Sequence, residues 1–332
     1  MLRLGSIKRR VTLSLTHPTR YKLIKNQGQL MNVNASTLNA IAAGLKKVYN
    51  DTFNKTESFY TKVAMVVPSS NSQETYAWLS KMPRMRKWIG DKVINKLSKQ
   101  GYSIVNDDFE VTVEVLRNDI EDDNIGQYNN MSQQAAWSAK QLPDELVAEL
   151  INDGDTNLCY DGKPFFATDH PITVNGKAKK VSNMLNKALS AATLADAKAS
   201  YGVARTKMRT ITDEEGRSLK IKPNLLIVGT DLEDTARTLL TADKLENGDQ
   251  NIYKGSAELL VIDDIKTGEW YLQDTSMPVK ALILQERKKP VFVSQTDLNA
   301  PDVFMRGTYK FGAEARYGAG YGFWQLMLKG YA

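Results

Sequence analysis

The sequence predicts an α+β protein, and three observations carry that prediction. Residues 109–116 alternate strictly, with Phe109, Val111, Val113 and Val115 on one face and Glu110, Thr112 and Glu114 on the other. That pattern is a half-buried antiparallel strand. Ile125, Tyr128, Ala135, Ala139, Leu142, Leu146 and Leu150 follow at helical steps, interrupted by Ser132, and form one face of a long helix. Short apolar runs at 224–229, 259–262, 270–272, 279–285 and 291–293 then read as strands.

A length of 332 residues suits about two domains, and 42% apolar residues supply material for a core. No run of about 18 apolar residues occurs, so no membrane span is expected. The basic N-terminus lacks a long apolar segment and a small-residue cleavage site, so no secretory signal is expected. Cys159 is the single cysteine, which excludes an intrachain disulfide framework and suits a reducing compartment. His17 and His170 are the two histidines, too few for a histidine-rich metal site.

Charge is unevenly spread. Residues 1–50 carry nine Lys/Arg, among them Lys8, Arg9, Arg10, Arg20, Lys22 and Lys25, and no Asp or Glu. The net charge of the whole chain is only +6, so the body is close to neutral and the basic excess sits in an N-terminal arm. Such an arm suits a polyanion, either nucleic acid or an acidic protein face. A solvated tail is the plainer alternative.

Residues 1–30 show no convincing periodicity, and Met31 is a second candidate start, which would make them an extension. Residues 36–50 read as a helix capped by Ser36 or Thr37, with 50–58 as a polar linker. Residues 59–67 favour a strand, stopped by Pro68 and a polar turn. Next comes W-L-S-K-M-P-R-M-R-K-W-I-G at 78–90, where large apolar and cationic side chains are mixed at neither strand nor helix spacing. This composition suits a protruding tip that lies across another protein. An irregular loop burying its tryptophans in its own domain is the alternative. Residues 59–116 together read as an extended β arm.

Asn118 or Asp119 is placed to cap the long helix, with Asp122 in the acidic first turn. Pro143 is expected to kink or restart that helix, and 153–154 to end it. Residues 188–208 read as another helix. Thr230 and Glu233 form a capping box for a helix to about residue 240. The last part, 303–328, reads as a hairpin turned around Gly318, Gly320 and Gly322. No internal repeat occurs.

One cluster resembles an enzyme site. Cys159, Asp161, Asp169 and His170 offer a thiol, an imidazole and carboxylates. Yet nothing places Cys159 at a helix N-terminus, where its pKa would fall, and a structural loop explains the cluster better. Metal binding by Asp161, Asp169 and His170 lacks a defined spacing. The glycines of R-Y-G-A-G-Y-G-F-W (316–324) make no phosphate cradle, since no G-K-[ST] follows. No catalytic, cofactor-binding or metal site is assigned, and a structural or binding role is expected.

The order of parts resembles the HK-97-like fold of tailed-phage major capsid proteins. The local sequence is similar to the major head subunit family of Mu-like phages and prophages. The stretches that carry the similarity are V-P-S-S-N-S-Q-E-T-Y-A-W-L (67–79), P-R-M-R-K-W-I-G-D (83–91), F-E-V-T-V-E-V-L-R-N-D-I-E-D-D (109–123), P-D-E-L-V (143–147) and L-C-Y-D-G-K-P-F-F-A-T-D-H-P (158–171). They keep one order and cover roughly residues 31–332.

The resemblance implies an N-terminal arm at 1–58 and an extended β loop, the E-loop, at 59–117. It also implies a peripheral P-domain with a spine helix at 118–223 and 303–332, and an axial A-domain at 224–302. It implies a shell subunit forming hexamers and pentamers around double-stranded DNA bound without sequence preference. Scaffold and portal proteins would be partners during assembly in the host cytoplasm, and decoration proteins would be possible partners on the virion. Trp78, Lys81, Met82, Pro83, Arg84, Arg86, Trp88 and Ile89 would then contact a neighbouring subunit. No cofactor, membrane partner or enzymatic activity is implied. The rival readings are a nucleic-acid-binding protein with a basic arm and a cysteine-dependent hydrolase using Cys159 and His170.

Overall fold

A computed structural model of the chain describes residues 33–80, 101–122, 124–213 and 215–332. Helix α1 (Ala35–Lys55) opens on Asn34, whose Oδ1 accepts from the Thr37 N–H at 2.9 Å. The cap therefore lies before Ser36 and Thr37. The helix also runs through most of the expected linker, because Tyr49 stacks on Phe53 and is itself buried. A short helix α2 (Tyr60–Val63) replaces the first half of the strand expected at 59–67. Asp144 is the cause: its Oδ1 accepts the N–H groups of Phe59 (3.0 Å) and Tyr60 (2.7 Å) and pins a helical turn there. Strand β1 (Ala64–Pro68) follows.

The chain continues through β2 (Gln73–Tyr76), β3 (Tyr102–Val105) and β4 (Asp107–Leu116). Strand β4 is the alternating strand read from sequence, with Val115 buried and Glu110, Thr112 and Glu114 exposed. A separate short helix α3 (Arg117–Glu121) precedes the long helix α4 (Gly126–Asn152). Helix α4 runs unbroken through Pro143, which is buried. The expected restart does not occur. Beyond it lie β5 (His170–Val174), β6 (Lys177–Val181) and β7 (Met184–Asn186), then α5 (Leu194–Ala197), a π-helical turn at Lys198–Gly202 and α6 (Val203–Arg209). The helix expected from residue 188 thus starts six residues later, where the Thr193 hydroxyl oxygen accepts from the Asp196 N–H at 3.1 Å.

Strand β8 (Leu225–Val228) is buried along its whole length, as its apolar run requires. Helix α7 (Glu233–Thr241) follows a 3₁₀ turn at Thr230–Leu232. No side chain caps it, so the Thr230–Glu233 box is not made. Next come β9 (Glu258–Val261), β10 (Trp270–Gln273) and β11 (Leu282–Gln295), the last uniting two expected strands across two register shifts. Helix α8 (Pro301–Arg306), β12 (Thr308–Tyr321) and β13 (Met327–Tyr331) complete the chain.

Two principal sheets result. The first has the order β1-β11-β12-β4, with β1 parallel to β11 and the other pairs antiparallel. The second has the order β7-β13-β10-β8-β9. Strands β12 and β13 therefore belong to different sheets, and the expected C-terminal hairpin does not form. Helices α1 and α4 pack on one another, and α4 lies against β4, β11 and β12. Leu38, Ile41, Val115, Ile120, Tyr309 and Phe311 fill part of that interface. The larger core surrounds the second sheet and includes Leu226, Ile227, Trp270, Leu272 and Met327. Helix α1, the described part of the N-terminal arm expected at 1–58, is thus built into the sheet-and-helix layer, and residues 1–32 lie outside the described residues.

Candidate assembly surface

Polar residues in otherwise apolar strands tie the β2–β3 pair to the first sheet. Strands β2 and β3 pair antiparallel, Gln73 with Val105 and Tyr76 with Tyr102. Below them Gln285 is fully buried in β11. Its Oε1 accepts from Tyr76 Oη at 2.9 Å, and its Nε2 donates to Asn106 Oδ1 at 2.8 Å. Asn106 Nδ2 in turn donates to Ser69 Oγ (2.9 Å) and the Asn71 carbonyl (2.8 Å). A buried amide must be satisfied or it destabilises the fold, so this network fixes where the β2–β3 pair sits on the first sheet. Gly318 and Gly320 permit the close approach of β3 to β12. A Cβ at 318 would lie 2.4 Å from the Val105 carbonyl oxygen, and one at 320 would lie 2.4 Å from Ile104 Cδ1. Sequence reading missed Gln285 and Asn106. Their signal was a glutamine ending the run A-L-I-L and an asparagine between two strands.

Trp78 follows β2 in a 3₁₀ turn and is half-buried. Its ring meets Tyr76 and Phe323 edge-on, at centroid distances of 5.8 and 6.2 Å. Trp78 thus packs on its own chain, as the alternative reading expects of this tryptophan. Lys81, Met82, Pro83, Arg84, Arg86, Trp88 and Ile89 lie outside the described residues, as do Lys8, Arg9, Arg10, Arg20, Lys22 and Lys25.

The expected spine-helix cap is also corrected. Asn118 and Asp119 lie inside α3, Asp122 is its C-cap, and α4 begins after Ile125 with no side-chain cap. Asp119 has a different task. Its Oδ2 accepts from Tyr128 Oη at 2.5 Å and Gln127 Nε2 at 3.3 Å, tying α3 to the first turn of α4.

The loop at 153–169 brings Cys159, Asp161 and His170 together. Asp161 is the hub. Its Oδ1 accepts from Cys159 Sγ at 3.1 Å and from the Lys163 N–H at 3.0 Å, while its Oδ2 faces His170 Nδ1 at 2.7 Å. His170 is fully buried, with Nε2 3.2 Å from the Phe165 carbonyl, and its ring stacks on Trp324 at 4.1 Å. Burial, then the charge of Asp161 and its hydrogen bond, push the Cys159 thiol far above its ordinary pKa. The thiol therefore stays protonated, and the imidazole faces the carboxylate instead of the sulfur. A nucleophile needs the opposite arrangement. Asp169 turns away to Lys163 (2.8 Å) and Lys180 (3.5 Å). The donor atoms of Cys159, Asp161 and His170 lie within 4.8 Å of one another, but each is already engaged in these bonds. The cluster staples the loop to Trp324. Iodoacetamide is expected to label Cys159 at least about a hundredfold more slowly in the native chain than in urea. Equal rates would show that the loop is open.

The family profile of the Mu-like prophage major head subunit gpT matches residues 38–200, 190–265 and 263–331. The chain belongs to that family. Its sequence is 31% identical over 298 residues to the major capsid protein of Escherichia phage Mu, covering 90% of this chain and 74% of that protein. Its structure resembles that of the subunit in the procapsid of bacteriophage JBD30, with a TM-score of 0.59, 32% identity, and coverage of 90% of this chain and 76% of that one. The JBD30 capsid decorated with minor capsid protein trimers matches at a TM-score of 0.54 and 29% identity, over 64% of this chain and 92% of that one. As a gpT-family member the chain is a Mu-like major head subunit with the HK-97-like fold, a structural component of the virion. The nucleic-acid-binding and hydrolase readings are not favoured. Among the described residues, no helix is long and apolar enough to cross a membrane.

Proposed function

We propose that this head subunit assembles into hexamers and pentamers of an icosahedral shell enclosing double-stranded DNA, bound without sequence preference. The anchored root of the β arm is the observation that supports the reading. Residues 69–106 leave the sheet after β1 and return at β4, with a buried amide network holding both passages. A mixed apolar and basic segment carried at the far end of such a root suits contact with an identical neighbour. In this reading Lys81, Met82, Pro83, Arg84, Arg86, Trp88 and Ile89 lie over the next subunit. Helix α4 serves as the spine of a P-domain, and 224–302 serves as the axial A-domain. Scaffold and portal proteins take part in assembly in the host cytoplasm. The decoration of the JBD30 capsid by minor capsid trimers supports a similar partner here.

Arg86→Ala combined with Trp88→Ala is expected to leave a folded subunit whose particle yield falls at least about tenfold, since central aromatic and arginine side chains dominate interfaces. Negative-stain electron microscopy of the expressed protein, with its scaffold if required, reads the result. Normal particle numbers from the double variant would remove the arm from the interface.

A further inference from the structure

Strand β4 is an open edge of the first sheet. Among the described residues it pairs with β12 alone. Its outer face is acidic: Asp108, Glu110 and Glu114 are exposed there, Asp107 is exposed at the start of the strand, and the strand holds no Lys or Arg. Asp108 is paired with Arg316, and Glu110 accepts from the Thr112 hydroxyl. On the inner face Phe109, Val111 and Val113 are only half-buried, and among the described residues no further strand covers their flank. A ten-residue edge of this kind invites strand addition. Two copies of β4 would oppose like charges, which disfavours self-pairing. A basic strand would meet no such barrier.

The chain supplies one. Residues 8–15 read K-R-R-V-T-L-S-L. In an extended conformation Lys8, Arg10, Thr12 and Ser14 share one face, and Arg9, Val11, Leu13 and Leu15 share the other. Set parallel to β4, Lys8 lies beside Asp108 and Arg10 beside Glu110, while Val11, Leu13 and Leu15 extend the row Val111, Val113, Val115. The described chain also begins at the right end. Val33 packs on the cluster that contains Val115 and Ile120, so residues 16–32 have only to turn back to that end of β4. A tether of this length gives an effective concentration in the millimolar range.

We infer that residues 8–15 of the same copy add to the free edge of β4 as a fifth strand, shielding it in the soluble subunit. The partner of residues 8–15 is this acidic protein edge, not nucleic acid, because the edge matches the segment in charge, in apolar alternation and in the position of its tether.

The test is a disulfide between Thr12→Cys and Thr112→Cys in the full-length soluble chain, with the buried Cys159 left in place. Mild oxidation is expected to give mostly an intrachain-crosslinked monomer. Arg10→Glu is expected to lower that yield by about fivefold, and Arg10→Glu with Glu110→Arg to restore it. Disulfide-linked dimers as the main product would assign the strand to a neighbouring copy and overturn the proposal. A yield indifferent to Arg10→Glu would also overturn it. Should the cysteine pair fail to fold, amide exchange over 107–115 gives the answer in the unmodified chain. Deleting residues 1–30 is expected to speed exchange at the edge amides. Unchanged exchange, with duplex-DNA binding lost on deletion, would give the segment to nucleic acid instead.

Discussion

Lys329→Ala is expected to destabilise the subunit by about 3–5 kcal/mol, enough to remove much of a domain's stability. Lys329 lies in β13, inside the second sheet, with its side chain only 3% exposed. Its Nζ meets Asp155 Oδ2 at 2.5 Å and Glu269 Oε1 at 2.6 Å. Tyr271 Oη donates to the other oxygen of Glu269 at 2.5 Å. Removing the ammonium leaves two carboxylates facing each other with no cation between them. The damage comes from that uncompensated charge more than from the lost attraction. Lys329→Met with Asp155→Asn and Glu269→Gln should therefore recover at least half of the loss. Urea unfolding of the soluble subunit measures both variants. A loss below about 1 kcal/mol for Lys329→Ala would mean that water reaches the site freely.

His170→Ala is the second large effect, at about 3–5 kcal/mol. It removes the ring stacked on Trp324 and leaves Asp161 Oδ2 without its partner. Burial alone would raise the Asp161 carboxyl. The hydrogen bonds from His170 and Cys159 and the charge of His170 outweigh it and hold that pKa below the ordinary value. A depressed carboxylate contributes stability above its unfolded pKa of about 4 and loses it as pH falls through the lower folded value. The wild-type chain should accordingly lose stability over that acidic window. His170→Ala should flatten this part of the profile. Parallel pH profiles from the two proteins would contradict the assignment of Asp161 as the hub.

Much of the architecture is written in local periodicity. Strand β4, the buried run of β8 and the apolar face of α4 were legible because a single spacing decided each one. The misreadings share a different cause, which is a partner far away in sequence. Asp144 turns Phe59 and Tyr60 into a helical turn from 84 residues away. The glycines at 318 and 320 look like a hairpin turn until β3 is laid against them. Asn118 and Asp119 look like caps for the long helix, but Asp119 serves Tyr128, and α3 stands apart. The hub carboxylate of the cysteine loop was hidden because stacking on Trp324 joins residues 154 positions apart. The candidate contact residues rest on composition and resemblance alone. Trp78 is the exception, since its packing on Phe323 depends on the distant C-terminal segment.

The placement of β1 and β4 on opposite edges of one sheet has a mechanical consequence. The strands leading into β2 and out of β3 stand three strand spacings apart, about 14 Å, like two feet, while β2 and β3 converge to a single spacing. A pin joint would let the arm spin about its own axis. A splayed bracket resists torsion and bends most readily in one plane. Torque acting on the β2–β3 pair is therefore delivered to the sheet as a couple, one foot pushed and the other pulled. The helix α4 lying across that sheet is the stiff member that receives it.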